Sequence, residues 1–263
     1  MKHHIDNKIY HIEILAPKQN SEKLDEDMAK FAEKWNTVLD AGYVACITDN
    51  PMGNLSFQGT ELIPELGLRV VPDQVSIHLN TFHTKQNLDD ILTTAAGLGI
   101  KQILCITGDG NERMPKLAPE AIGETGNSVT SVELLKYIRK EYPGKFNLGV
   151  AFNPYEPQDH EMEKLHRKLD AGAEFITTQP ILGRDERVLK MMEVAKLPVI
   201  IEAWMSKKLS LLSSCVGYTI PEDTPYDPMA NLGELNKLYP DCGLYLSMVL
   251  YKTQFPFIRD IWK

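Results

Sequence analysis

Short apolar runs alternate with longer amphipathic segments along nearly the whole chain. IYHIEIL (9–15) reads as a strand, and the segment after it (22–42) carries Leu24, Met28, Phe31, Trp35 and Leu39 at helical spacing before closing on Gly42. YVACIT (43–48) returns to strand character. The alternation continues with strands predicted at 74–79, 102–107, 146–152, 174–178, 197–204 and 242–251. Helices are predicted near 87–98, 128–141, 158–171 and 184–195, with further helical sequence before the last strand.

Strands separated by helices predict parallel β/α organisation, and eight is the number that closes a (β/α)8 TIM barrel. A doubly wound open sheet is the alternative. Several runs are apolar without interruption, as strands buried on both faces require. No linker composition, low-complexity tract or repeat divides the chain, so 1–263 is expected to form a single domain. Two Pro/Gly-rich connections, 47–73 and 108–128, follow the second and fourth strands. In a barrel both lie on the C-terminal face, which carries the active site, and long loops inside compact domains usually serve function.

Composition narrows the classes. With 43% hydrophobic and 24% charged residues the chain can bury a substantial core. A formal net charge of −8, with no dense Lys/Arg block, argues against nucleic acid or an anionic membrane as partner. MKHHIDNKIYHIEIL lacks the basic start and apolar stretch of a signal peptide, and no apolar run approaches the roughly 18 residues of a membrane span, so a cytoplasmic location is expected. The four cysteines form no C-x-x-C pair, which suggests neither zinc nor disulfides; Cys46 and Cys105 read as core thiols.

Polar residues gather at the predicted strand ends: Glu13, Thr48 and Asp49, His78, Asp109, Asn153, Gln179 and Glu202. Their convergence on one face argues for a site. Each also has a plainer reading. Glu13 fits an exposed position of an edge strand, His78 a hydrogen-bonded core histidine, Gly-Asp-Gly an ordinary turn, and Gln179 before Pro180 a strand end. CITGDG lacks the spacing of a dinucleotide or phosphate loop.

HIEILAP, ITDNPMGN, SIHLN, CITGDG and above all KLDAGAEFITTQ (168–179), in this order, resemble the methylenetetrahydrofolate reductase family. The resemblance runs from about residue 11 to 182, and the last third matches loosely. It implies a β/α barrel carrying FAD. It implies further that Glu13 is the acid that opens the folate's five-membered ring, that Asp109 lies beside flavin and pterin, and that Gln179 recognises folate. Flavin contacts are implied for Thr48, His78, Gly108, Asp109, Glu161 and Lys168, with Lys168 suited to a phosphate. Thr107 stands where the family carries an arginine on the flavin side, and Asn153, with YEPQDH after it, where the family carries a tyrosine and a histidine around the fifth-strand proline; the resemblance places both Thr107 and Asn153 among the cofactor-binding positions. Lys252, one position out of register, stands near the family's eighth-strand arginine.

The implied reaction is hydride transfer from reduced flavin to the methylene carbon of 5,10-methylenetetrahydrofolate, giving 5-methyltetrahydrofolate in one-carbon metabolism, with NADH as the inherited electron donor. Two other readings stand beside it: flavin-free tetrahydrofolate-dependent methyl transfer or demethylation, and a non-catalytic folate-binding subunit held by a redox partner protein. Homo-oligomerisation is compatible with each. No metal site is implied.

Overall fold

The computed structural model describes residues 10–247 together with Phe255 and Ile258. Eight parallel strands close into a barrel in sequence order: β1 (Tyr10–Ile14), β2 (Val44–Ile47), β3 (Val75–Leu79), β4 (Gln102–Cys105), β5 (Asn147–Phe152), β6 (Phe175–Pro180), β7 (Val199–Trp204) and β8 (Gly243–Ser247). β8 pairs with β1, His11 opposite Tyr245, so no strand is left at an edge. The open-sheet alternative is thereby excluded, and with it the reading of Glu13 as an edge-strand residue.

Around the strands run α1 (Leu24–Asp40), α2 (Gly59–Glu65), α3 (Lys85–Gly97), α4 (Ser131–Glu141), α5 (Gln158–Asp170), α6 (Glu186–Ala195), α7 (Leu209–Val216) and α8 (Pro228–Leu238). α1 starts with Asp25, Glu26 and Asp27, which suit the positive end of the helix dipole, and stops where Gly42 takes φ +77°. Phe31, Trp35, Val38 and Leu39 form its buried stripe, and the Trp35 indole N–H donates to the Arg69 carbonyl at 2.9 Å. Thr130 and Glu133 cap α4 reciprocally, and the Asp185 and Asp227 side chains cap α6 and α8.

The period-two alternation of the strands sorts two cores. Ile12, Ile47, Ile77, Ile103, Val150 and Ile201 point outward to the helices, whereas Val44, Cys46, Leu104, Phe175, Ile200 and Tyr245 pack together inside the barrel. Gly149 makes room for that inner plug, since a Cβ there would come within 2.1 Å of the Phe175 ring.

The structure corrects some boundaries. The 47–73 connection is not all loop: it holds a 3-10 turn at Pro51–Gly53 and the short α2, which Pro64 and its length of 7 residues hide from periodicity. The helical sequence before β8 resolves into α7 and α8. Gln179 and Pro180 lie within β6 rather than after it, at a register shift against β7. Among the described residues no helix is long and apolar enough to cross a membrane, and no cluster of His, Cys, Asp or Glu could hold a metal ion.

Candidate active site

Glu13, His78 and Glu202 continue the barrel-facing alternation of β1, β3 and β7 after His11, Ser76 and Ile200, and β8 contributes Tyr245 and Ser247. The Tyr245 hydroxyl donates to Glu13 Oε1 at 3.3 Å, and the Ser247 hydroxyl bonds Glu202 Oε1. The His78 ring lies 5.7 Å from that of Tyr245, centroid to centroid. Burial among apolar walls disfavours charge on all of these groups. It pushes the Glu13 carboxyl up to about 7, against the opposing pull of its Tyr245 hydrogen bond, and the Glu202 carboxyl up to about 8, with Glu13's charge adding to the rise. Burial lowers His78 to about 4 and His11, which also feels His78, to about 4. The site therefore offers protonated acids and neutral imidazoles near neutrality. Cys46 lies 3.6 Å from His11 Nδ1, but burial raises its thiol far from ionisation, so it is no nucleophile.

A second group builds the rim. Asp49, directly after β2, is buried and accepts four hydrogen bonds: from His83 Nε2 at 2.8 Å, the Asn80 backbone N–H at 2.7 Å, Gln58 at 2.9 Å and Asn50 at 3.0 Å. One carboxylate thus ties together the loops after β2 and β3. The loop after β4 leans on the same structure. Gly108 takes φ +79°, and a Cβ on it would stand 2.5 Å from the Asn80 Cβ; a Cβ on Gly110 would enter the Phe82 ring. Both glycines are thus required by turn geometry and close packing, while Asp109 between them is exposed at the mouth.

Of the remaining residues expected in the site, Thr48 directly follows β2 and has a buried hydroxyl with no hydrogen-bond partner among the described residues. Asn153, after β5, accepts from the Tyr155 N–H at 3.0 Å, and its own N–H donates to Glu161. Glu161 and Lys168 come together as a buried ion pair on α5, 3.5 Å apart, with the Lys168 ammonium also donating to the Ala151 carbonyl at 2.6 Å. Gln179 is half-buried on β6. The Thr107 hydroxyl is committed to the start of α4, where it accepts the Ser131 N–H at 3.3 Å. Lys252 lies outside the described residues.

In the sequence Glu202 stands out only as a strand end, and Tyr245, Ser247 and His83 do not stand out at all. The period-two alternation of Gly243, Tyr245 and Ser247 against Leu244 and Leu246 was the available signal for the inward face of β8.

Residues 1–221 match the family model of methylenetetrahydrofolate reductase. The chain is similar to methylenetetrahydrofolate reductase 2 of Schizosaccharomyces pombe, 32% identical over 106 residues that make up 36% of this chain and 16% of that protein. It is similar to methylenetetrahydrofolate reductase 2 of Saccharomyces cerevisiae, 30% identical over 135 residues, 48% of this chain and 22% of the relative. A protein of Oryza sativa subsp. japonica named a probable methylenetetrahydrofolate reductase (NADH) is 29% identical over 178 residues, 62% of this chain and 29% of its own length. The chain thus spans less than a third of these relatives. Among solved structures, a 2,3-dimethylmalate lyase of the PEP mutase/isocitrate lyase superfamily superposes with a TM-score of 0.54 at 11% identity, over 97% of this chain and 80% of that one, a likeness of fold alone.

Proposed function

This chain belongs to the methylenetetrahydrofolate reductase family, and from that premise we propose that it reduces 5,10-methylenetetrahydrofolate to 5-methyltetrahydrofolate. The observation that carries the reading is Glu13, a carboxyl raised by burial to about 7 at the inner end of the barrel mouth. Reduction adds a hydride to the methylene carbon and breaks one of its C–N bonds, and the departing nitrogen must gain a proton. Glu13, still protonated near neutrality and oriented by Tyr245, is suited to give it. Asp109, exposed on the rim, is suited to face the cationic form of the substrate. Gln179 would bind the pterin edge with its amide.

A flavin, when bound, would supply the hydride. Thr48 supports that assignment, because a buried hydroxyl without a partner is costly and a polar ligand at the end of β2 would satisfy it. His78, Gly108, Asp109 and Asn153 share this face with Thr48. Glu161 and Lys168 would adjoin the same ligand only after Lys168 loosens its hold on Glu161 and Ala151. Thr107, bound to α4, offers nothing in place of the family's arginine. These two commitments favour, as a second reading, flavin-free tetrahydrofolate-dependent methyl transfer.

A visible absorption spectrum of the purified protein, with mass spectrometry of any released ligand, separates the readings: flavin bands support the first, and their absence after reconstitution supports the second. Glu13→Gln is expected to abolish turnover while leaving folate binding intact. Turnover at the wild-type rate in that variant would remove Glu13 from the mechanism.

A further inference from the structure

The two inward residues of β8 divide the buried carboxyls between them: Tyr245 donates to Glu13 on one neighbouring strand, and Ser247 bonds Glu202 on the other. In register Tyr245 stands opposite both His11 of β1 and Glu202 of β7, so Glu13 and Glu202 flank the same short stretch of one strand. We infer that Glu13 and Glu202 titrate as one carboxyl pair, in which ionisation of either holds the proton on the other, so that Glu202 is a positioning residue for the proton on Glu13. The family resemblance assigned Glu202 no role.

The physical ground is that two carboxylates enclosed by low-dielectric walls cannot both ionise cheaply: the first negative charge makes the second costlier. Among the described residues neither carboxyl is in an ion pair that would relieve this. The groups facing Glu202 reinforce it. The ionisable groups that act on Glu202 or are acted on by it are Glu13 of β1, Tyr245 of β8, Tyr155 of the loop after β5 and Cys215 of α7, and none of them carries a positive charge. Lys34 of α1 acts on Glu13 in the opposite sense, favouring its ionisation. The role of Glu202 in positioning an acid rests on Glu13 being the donor of the proposed reaction; the pairing itself does not.

The test is a carboxyl-carbon NMR titration of the folded protein carrying 13C-labelled glutamate, with Glu13→Gln and Glu202→Gln identifying the two signals. The wild type is expected to lose the two protons in separate steps. In Glu13→Gln, the Glu202 step is expected to move to lower pH by roughly one unit, the coupling at which two sites behave as a pair. Ser247→Ala, which removes the bond favouring ionised Glu202, is expected to move that step to higher pH and, through the pairing, the Glu13 step to lower pH; a Glu13 step that stays in place while the Glu202 step moves would overturn the inference even if a glutamine variant fails to fold. A Glu202 step at the same pH in wild type and Glu13→Gln would overturn the inference. In turnover assays, Glu202→Gln should shift the alkaline limb of kcat/KM to lower pH. Coupled titration with no folate turnover in any form would leave the pair standing and remove the proposed reaction.

Discussion

His83 Nε2 stands 2.8 Å from Asp49 Oδ2, both side chains almost wholly buried, and this contact joins the loops after β2 and β3 beneath the rim of the barrel. With Asn80, Gln58 and Asn50 donating to the same carboxylate, Asp49 is a structural anchor that satisfies four donors without a ligand.

Asp49→Asn exchanges one accepting oxygen for an amide that donates. At least one buried donor loses its partner, at a cost on the order of 1–3 kcal/mol each. Urea unfolding should show a lowered midpoint with an unchanged slope. A midpoint equal to that of the wild type would show that these loops do not depend on the anchor.

Gly108→Ala tests the Gly-Asp-Gly turn apart from its aspartate. The substitution strains a backbone at φ +79° and drives a Cβ to 2.5 Å from that of Asn80, so a loss of about 1–3 kcal/mol is expected in thermal or chemical unfolding. Asp109→Asn, at an exposed position, should leave stability unchanged and lower turnover. A stable Gly108→Ala, or an Asp109→Asn that melts early, would contradict this separation of roles.

The buried Glu161–Lys168 pair should behave asymmetrically. Lys168→Met leaves Glu161 with the half-buried Lys164 contact at 2.6 Å and the Asn153 N–H, and costs on the order of 3–5 kcal/mol. Removing both charges by Glu161→Gln with Lys168→Met should recover part of that loss. A double-mutant cycle by denaturant unfolding reads the coupling; additive losses would mean that the pair is not one unit.

Stability should peak between mildly acidic and neutral pH. Glu13 and Glu202 rise on folding from 4.5 to about 7 and about 8, so their stabilisation is complete below 4.5 and is lost as pH climbs through those values. His11 and His78 fall from 6.5 to about 4, so their contribution is present above 6.5 and is lost as pH drops towards 4. Combining Glu13→Gln with Glu202→Gln removes the alkaline loss. The double variant should melt above wild type at about pH 9 and close to it at about pH 5, as followed by circular dichroism. A double variant that melts below wild type at alkaline pH would refute it.

The barrel was legible because its cause is local. Strand and helix periods differ, and every strand repeats the rule that one face meets helices and the other the barrel interior, so the eight-fold alternation survives in the order of residues. α2 escaped because Pro64 and a length of 7 residues leave too little periodicity to read. Glu13 stood out as a charge in an apolar run, whereas Tyr245 did not, because its ring belongs to the hydrophobic pattern and only its hydroxyl reaches the site.

By itself, then, the sequence determined the strand count, the face carrying the polar residues and the family. The tertiary structure decided which of those residues share an environment. Asp49 and His83 lie 34 positions apart and Glu13 and Tyr245 lie 232 apart, and nothing local marks either contact. Protonation follows the same division: an isolated glutamate is an ionised acid at neutral pH, and only closing the barrel around Glu13 and Glu202 withdraws the water that made that charge cheap.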